Sequence, residues 1–134
     1  GQDRRGVAEL HKKVDITLDS WPYCGGNTLA ESLWYGVPAI TLKGDRFSSR
    51  YGASILSAAG LPDLVASSED EYVQLSVTLS SNVSRLADLR MNLRQMMCSE
   101  DMFSDAEAFA SDMDHAFRDI IINNLTIHNH QQNP

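Results

Sequence analysis

Residues 14–42 read VDITLDSWPYCGGNTLAESLWYGVPAITL, and the order of patterns along this run decides the fold. Residues 14–19 alternate in polarity and carry β-branched side chains, which predicts a strand. SWPYCGG then reads as a loop. Asn27 or Thr28 is expected to cap a helix, and Thr28 with Glu31 has the spacing of a capping box. Ala30, Leu33 and Trp34 would line the buried face of that helix. Gly36 stops it as the glycine just past the last turn. Residues 38–42, PAITL, are almost wholly apolar, as in a strand buried on both faces of a parallel sheet. Strand, helix, strand in this order predicts a right-handed parallel crossover.

The pattern continues outward on both sides. Residues 4–13 read as a short helix with Val7 and Leu10 on one face. KGDRFSSR is a loop, a helix follows over about residues 49–59 and ends at Gly60, and DLVA is a third short strand. The rest is predicted helical. Ser68 with Glu71 opens one helix, Asn82 caps the next, and Ser104 with Glu107 opens a last one over about residues 105–122. In that last helix Phe109, Met113, Phe117 and Ile120 fall at helical spacing and are expected to be buried. The fold class is therefore α/β, a parallel sheet with flanking helices and a helical C-terminal part. Residues 1–122 are expected to form one domain, N-terminally incomplete because three strands are few, and residues 123–134 a polar tail.

Composition narrows the function. The chain has 134 residues and a net charge of −7, which argues against a nonspecific grip on nucleic acid. A local phosphate contact through backbone N–H groups remains open to an acidic protein. No apolar run approaches the roughly 20 residues of a membrane span, and no secretory leader is expected. Cys24 and Cys98 form no CxxC pair and read as reduced thiols of a cytoplasmic-type protein. The histidines, His11, His115, His128 and His130, lack metal-ligand spacing, so no metal site is expected. The abrupt first residues, GQDRRGVAEL, read like the interior of a longer protein.

The glycine pair carries the chemistry. In open α/β sheets, ligands bind beyond the carboxyl ends of the strands. Gly25 and Gly26 stand there, and a backbone without Cβ atoms lets a ligand come close and permits φ above zero. The helix start at Asn27 or Thr28 offers free N–H groups and a positive dipole. Glu31, one turn further, could reach ribose hydroxyls, and Asp19 could orient the loop through backbone hydrogen bonds. The spacing is neither GxGxxG nor a Walker loop, so by itself it serves a plain turn as well as a phosphate site. Trp21, Trp34 and Tyr35 are expected to pack helix against sheet rather than to stack on a base.

A wider match reads across the chain. The D-x-x-P-Y-x-G-G segment at residues 19–26, then ESLWYGVP, GDRFSSR-x-GAS-x-L and AGLPDLVA, occur in collinear order. Together they resemble the C-terminal catalytic half of the O-GlcNAc transferase/SPINDLY family, over about residues 14–120. The resemblance implies a Rossmann-like domain, the C-terminal one of two that face each other in a GT-B glycosyltransferase. It implies inverting transfer of a sugar from a nucleotide diphosphate donor, UDP-linked, to a Ser or Thr of a protein acceptor, with no separate cofactor. It assigns the diphosphate to Gly26, Asn27 and Thr28, with Gly25 in the same loop, and the ribose to Glu31. Arg50, and less so Arg46, would flank the donor. The family also carries a histidine two helical turns before the VD strand. Val7 occupies that place here, and His11, one turn later, is the nearest substitute. The family's phosphate-binding lysine, its acceptor domain and its tetratricopeptide repeats lie outside this sequence, so the chain alone is expected to be inactive in transfer. Two alternatives stay open: a non-catalytic interaction module that keeps the fold without the full active site, and an unrelated α/β domain for another phosphorylated ligand. Self-association through the C-terminal helix is a further expectation.

Overall fold

The computed structural model of the chain describes residues 4–98 and 106–131. The chain divides into two units, residues 1–102 and residues 103–134. The break precedes the last helix, whereas the sequence pattern carried the first domain to residue 122.

The first unit follows the order α1 (Arg4–His11), β1 (Thr17–Leu18), α2 (Asn27–Trp34), β2 (Ala39–Leu42), α3 (Tyr51–Ala58), β3 (Val65–Ala66), α4 (Glu69–Ser81) and α5 (Val83–Met96). The strands lie in the order β1-β2-β3, and both pairs are parallel. Thr17 pairs with Ala39 and Leu18 with Ile40, then Thr41 with Val65 and Leu42 with Ala66. The β1 ladder is shorter than residues 14–19. Its partner strand begins only at Ala39, after the turn at Gly36 and a proline with no N–H, so residues 14–16 have no strand to face.

Local chemistry explains the stops. Gly36 has φ +80° and Gly60 φ +74°, the left-handed region in which a Cβ is strained. Each closes its helix: the Val37 N–H donates to the Ser32 carbonyl at 2.8 Å, and the Leu61 N–H to the Leu56 carbonyl at 2.8 Å. At the helix starts, Ser68 Oγ accepts the Glu71 N–H and Asn82 Oδ1 accepts the Arg85 N–H, as the caps of α4 and α5.

The core sits where β2 is covered on both sides. Ile40 and Ala39 are fully buried, with Leu29 and Leu33 of α2, Leu56 of α3, Leu64, Leu79 of α4, and Leu89 and Leu93 of α5. Burying each large aliphatic side chain stabilises the fold by roughly 1.5–3 kcal/mol. The inward face of α2 is Leu29, Ser32 and Leu33, not Ala30, Leu33 and Trp34. The i,i+4 leucine pair turns the helix so that Trp34 reaches the surface, where the Arg94 guanidinium stands 4.7 Å over its ring.

The second unit is described by α6, Ala106–Gln131. This helix continues past Ile122, where the polar tail was expected. Residues 123–131 contain no glycine or proline to end it. Burial of the periodic stripe is not observed: Phe109, Met113, Phe117 and Ile120 are all exposed. Among the described residues, that unit holds no second element against which the stripe could pack. Ser104 and Asp105 of the third capping box lie outside the described residues. No described helix is long and apolar enough to cross a membrane.

Candidate functional site

The carboxyl ends of the parallel strands deliver Asp19, Lys43 and Ser67 to one edge of the sheet. The loop that follows β1 is organised by Asp19, which is 8% exposed. Asp19 Oδ1 accepts the Gly25 N–H at 2.8 Å, and Oδ2 accepts the Thr41 hydroxyl at 2.6 Å. Tyr72 of α4 donates its phenol to the Asp19 carbonyl at 2.9 Å. Burial, and then the charge of Asp19, push the Tyr72 phenol above its ordinary pKa, which keeps it a donor. Further along, the Cys24 N–H donates to the Ser48 carbonyl at 3.0 Å and joins this loop to the one after β2. The Trp21–Pro22 peptide is cis.

The cap of α2 is Gly26, one residue before Asn27 and two before Thr28, and the Thr28–Glu31 capping box is not formed. Asn27 already lies inside the helix, and the Thr28 carbonyl also accepts the Ser32 hydroxyl at 3.1 Å. Gly26 brings no side chain to the N–H groups of the first turn, which leaves them for water or an anion. Neither Gly25 nor Gly26 has positive φ. Their lack of a Cβ matters through space instead. A Cβ on Gly25 would stand 3.3 Å from Asp19 Oδ1, while one on Gly26 would meet nothing within 4 Å. Gly26 therefore opens outward. The Gly25 N–H points inward to Asp19 and is not available to a ligand.

Asn27, Thr28 and Glu31 are exposed on the first turn and a half of α2. His11 is placed differently. Its Nδ1 lies 2.8 Å from the Val7 carbonyl, its Nε2 3.3 Å from Ser32 Oγ, and its ring stacks on Tyr35 at 5.0 Å. Both ring nitrogens are thus engaged at the junction of α1 and α2. Arg50 is exposed at the start of α3, with its backbone N–H on the Phe47 carbonyl.

An open cavity of about 560 Å³ lies at the same sheet edge, lined by Trp21, Lys43, Asp45, Arg46, Ser67 and Glu69 among others. A neighbouring one of about 340 Å³ shares Trp21, Leu42 and Glu69 and reaches Asp19 and Tyr72. Neither is lined by residues 25–31, His11 or Arg50. Trp21 is half exposed over these cavities and does not pack helix against sheet. Sequence reasoning also missed Thr41, Gly52 and Tyr72 as neighbours of Asp19. The one available signal was Gly52, a glycine inside a helical pattern, which commonly marks close packing.

Comparison with known proteins settles the lineage. Residues 4–113 match the family Glycosyl transferase family 41. The chain belongs to this family. Over 112 residues it is 42% identical to an Arabidopsis thaliana protein named "Probable UDP-N-acetylglucosamine--peptide N-acetylglucosaminyltransferase SPINDLY", covering 84% of the chain and 12% of the relative. Over 102 residues it is 35% identical to the UDP-N-acetylglucosamine–peptide N-acetylglucosaminyltransferase of Caenorhabditis elegans, covering 75% of the chain and 9% of that protein. A solved mutant of the Thermobaculum terrenum O-GlcNAc transferase superposes with a TM-score of 0.78 at 33% identity, covering 87% of the chain and 22% of the other. The chain thus spans about an eighth of the length of its Arabidopsis relative. Its parallel sheet with flanking helices has the Rossmann-like architecture of the family's GT-B catalytic region.

Proposed function

We propose that this chain is the nucleotide-sugar-binding part of an inverting protein O-glycosyltransferase that uses a UDP-linked donor. The observation that carries the reading is the start of α2: a glycine cap at the carboxyl edge of a parallel sheet, with open space over Gly26 and no side chain on the first-turn N–H groups. The amides from Gly26 to Thr28, with the Asn27 amide group and the Thr28 hydroxyl, hold the diphosphate. As the sugar leaves, charge grows on that diphosphate, and fixed amide dipoles at a helix N-terminus stabilise it. Glu31, exposed one turn in, accepts hydrogen bonds from the ribose hydroxyls. The acceptor is a Ser or Thr of a protein, held by parts of the enzyme outside this sequence. The chain alone therefore binds donor without transferring sugar, since transfer needs both reactants held in register.

The test is titration of UDP into the chain, followed by backbone amide shifts. The expected result is movement of the Gly26, Asn27 and Thr28 amides, with affinity reduced at least about tenfold in Gly26→Val. Because the space over Gly26 is open, that variant should keep its fold. Equal binding by Gly26→Val and the parent chain would show that the loop is only a turn.

A second reading, an interaction module without the full active site, is favoured by one observation. The resemblance puts the family histidine at Val7, and the nearest histidine, His11, is engaged with Val7, Ser32 and Tyr35. That reading predicts no UDP-dependent amide shift at all.

A further inference from the structure

We propose that Asp19 is the positioning residue of the donor loop, held by Thr41, Gly52 and Tyr72 so that it fixes the Gly25 peptide and thereby the direction in which the Gly26–Thr28 amides point. The proposal rests on the nucleotide reading of that loop.

The argument starts from cost. A carboxylate that is 8% exposed is expensive to bury unless its oxygens are bonded. No ion pair among the described residues includes Asp19. Its compensation consists of neutral donors, one on each oxygen: the Gly25 N–H at 2.8 Å and the Thr41 hydroxyl at 2.6 Å. A plain turn would be satisfied by any short polar side chain. A charged acceptor makes a shorter and stronger bond to the amide, and so a stiffer loop.

Elements distant in sequence converge to keep the carboxylate in place. A Cβ on Gly52 would come within 2.3 Å of Thr41 Oγ1 and 2.5 Å of Asp19 Oδ2, so α3 closes over the pair as nearly as backbone can. Tyr72 secures the same residue from the other side through its main-chain oxygen, at 2.9 Å. With the Gly25 N–H drawn inward, the chain enters α2 at Gly26 with φ −81° and ψ −82°, and the following amides are left to the exterior. Asp19 spends its charge on orientation: one carboxylate oxygen is taken up by the Gly25 N–H and the other by the Thr41 hydroxyl.

The experiment compares Asp19→Asn and Tyr72→Phe with the parent chain by amide spectra, thermal melting and UDP titration. In Asp19→Asn the Gly25 amide proton, downfield while bonded to a carboxylate, should move upfield, and UDP affinity should fall about tenfold. Tyr72→Phe removes only a phenol oxygen and should fold; it should weaken UDP by a smaller factor and shift the same Gly25 resonance. An unmoved Gly25 resonance in a folded Asp19→Asn protein overturns the proposal. So does a released Gly25 amide with unchanged UDP affinity. If the parent chain shows no UDP binding, the nucleotide reading fails, and with it the positioning role; the Gly25 shift then reports loop structure alone.

Discussion

The hydroxyls of Thr17 on β1 and Ser32 on α2 meet at 3.0 Å, and His11 Nε2 approaches the same Ser32 oxygen at 3.3 Å. A strand, a helix and the preceding helix are thus joined at one buried hydroxyl. His11 is expected to act on stability first. His11→Ala should lower unfolding free energy by about 1–2 kcal/mol in urea titration. Its effect on UDP affinity should be far smaller than that of Gly26→Val.

The adjacent glycines should respond differently to the same methyl group. A Cβ on Gly25 meets an Asp19 oxygen that cannot retreat, because Thr41 holds its carboxylate. Gly25→Ala should therefore cost about 1–3 kcal/mol by overpacking. Gly26→Ala places its methyl in open space and should cost less than about 1 kcal/mol, the scale of a changed cap. Thermal or denaturant unfolding of the two variants checks the ranking, and a Gly26→Ala loss equal to that of Gly25→Ala would contradict it.

Alkaline pH gives a third expectation. The Tyr72 phenol has a raised pKa in the folded chain, so its contribution to stability is complete below the unfolded value near 10 and is lost as pH rises through the folded value. Stability of the parent chain should fall through this range more steeply than that of Tyr72→Phe. Parallel urea melts between neutral and alkaline pH measure the difference, and identical slopes would show that folding leaves the titration of the Tyr72 phenol unchanged.

In the proposed reading Glu31 meets the ribose, so its removal should discriminate between nucleotides. Glu31→Ala should weaken UDP by about tenfold, the scale of a lost charged hydrogen bond. It should weaken 2′-deoxy-UDP much less. Equal losses with both ligands would place the acid elsewhere.

Features that only a few residue types can satisfy were legible in the sequence. Gly36 and Gly60 end helices because their backbone is left-handed. Ser68 and Asn82 cap because their short oxygens reach the third N–H. The almost wholly apolar run at β2 read as a strand covered on both faces, and its residues from Ala39 to Thr41 are buried. At the start of α2 the sequence offered several adjacent residues able to cap, and composition cannot choose among them; packing of Leu29 and Leu33 did. The loop's glycines and acid could be read as a candidate site, but the arrangement behind them could not. Tyr72 lies 53 residues from Asp19, and nothing local announces that contact. The stripe on α6 was readable as a face, while periodicity says nothing about what covers it.

Cys24 lies beneath the loop at 1% exposure, its sulfur 3.8 Å from Thr41 Oγ1, while Cys98 is exposed. The chain therefore carries a built-in clock. A thiol reagent in excess modifies Cys98 without delay, since an accessible sulfur waits for nothing but its own ionisation. Cys24 must wait until the segment from Trp21 to Gly26 lifts off the sheet. The slow phase of labelling should then follow the parting of the loop from Asp19.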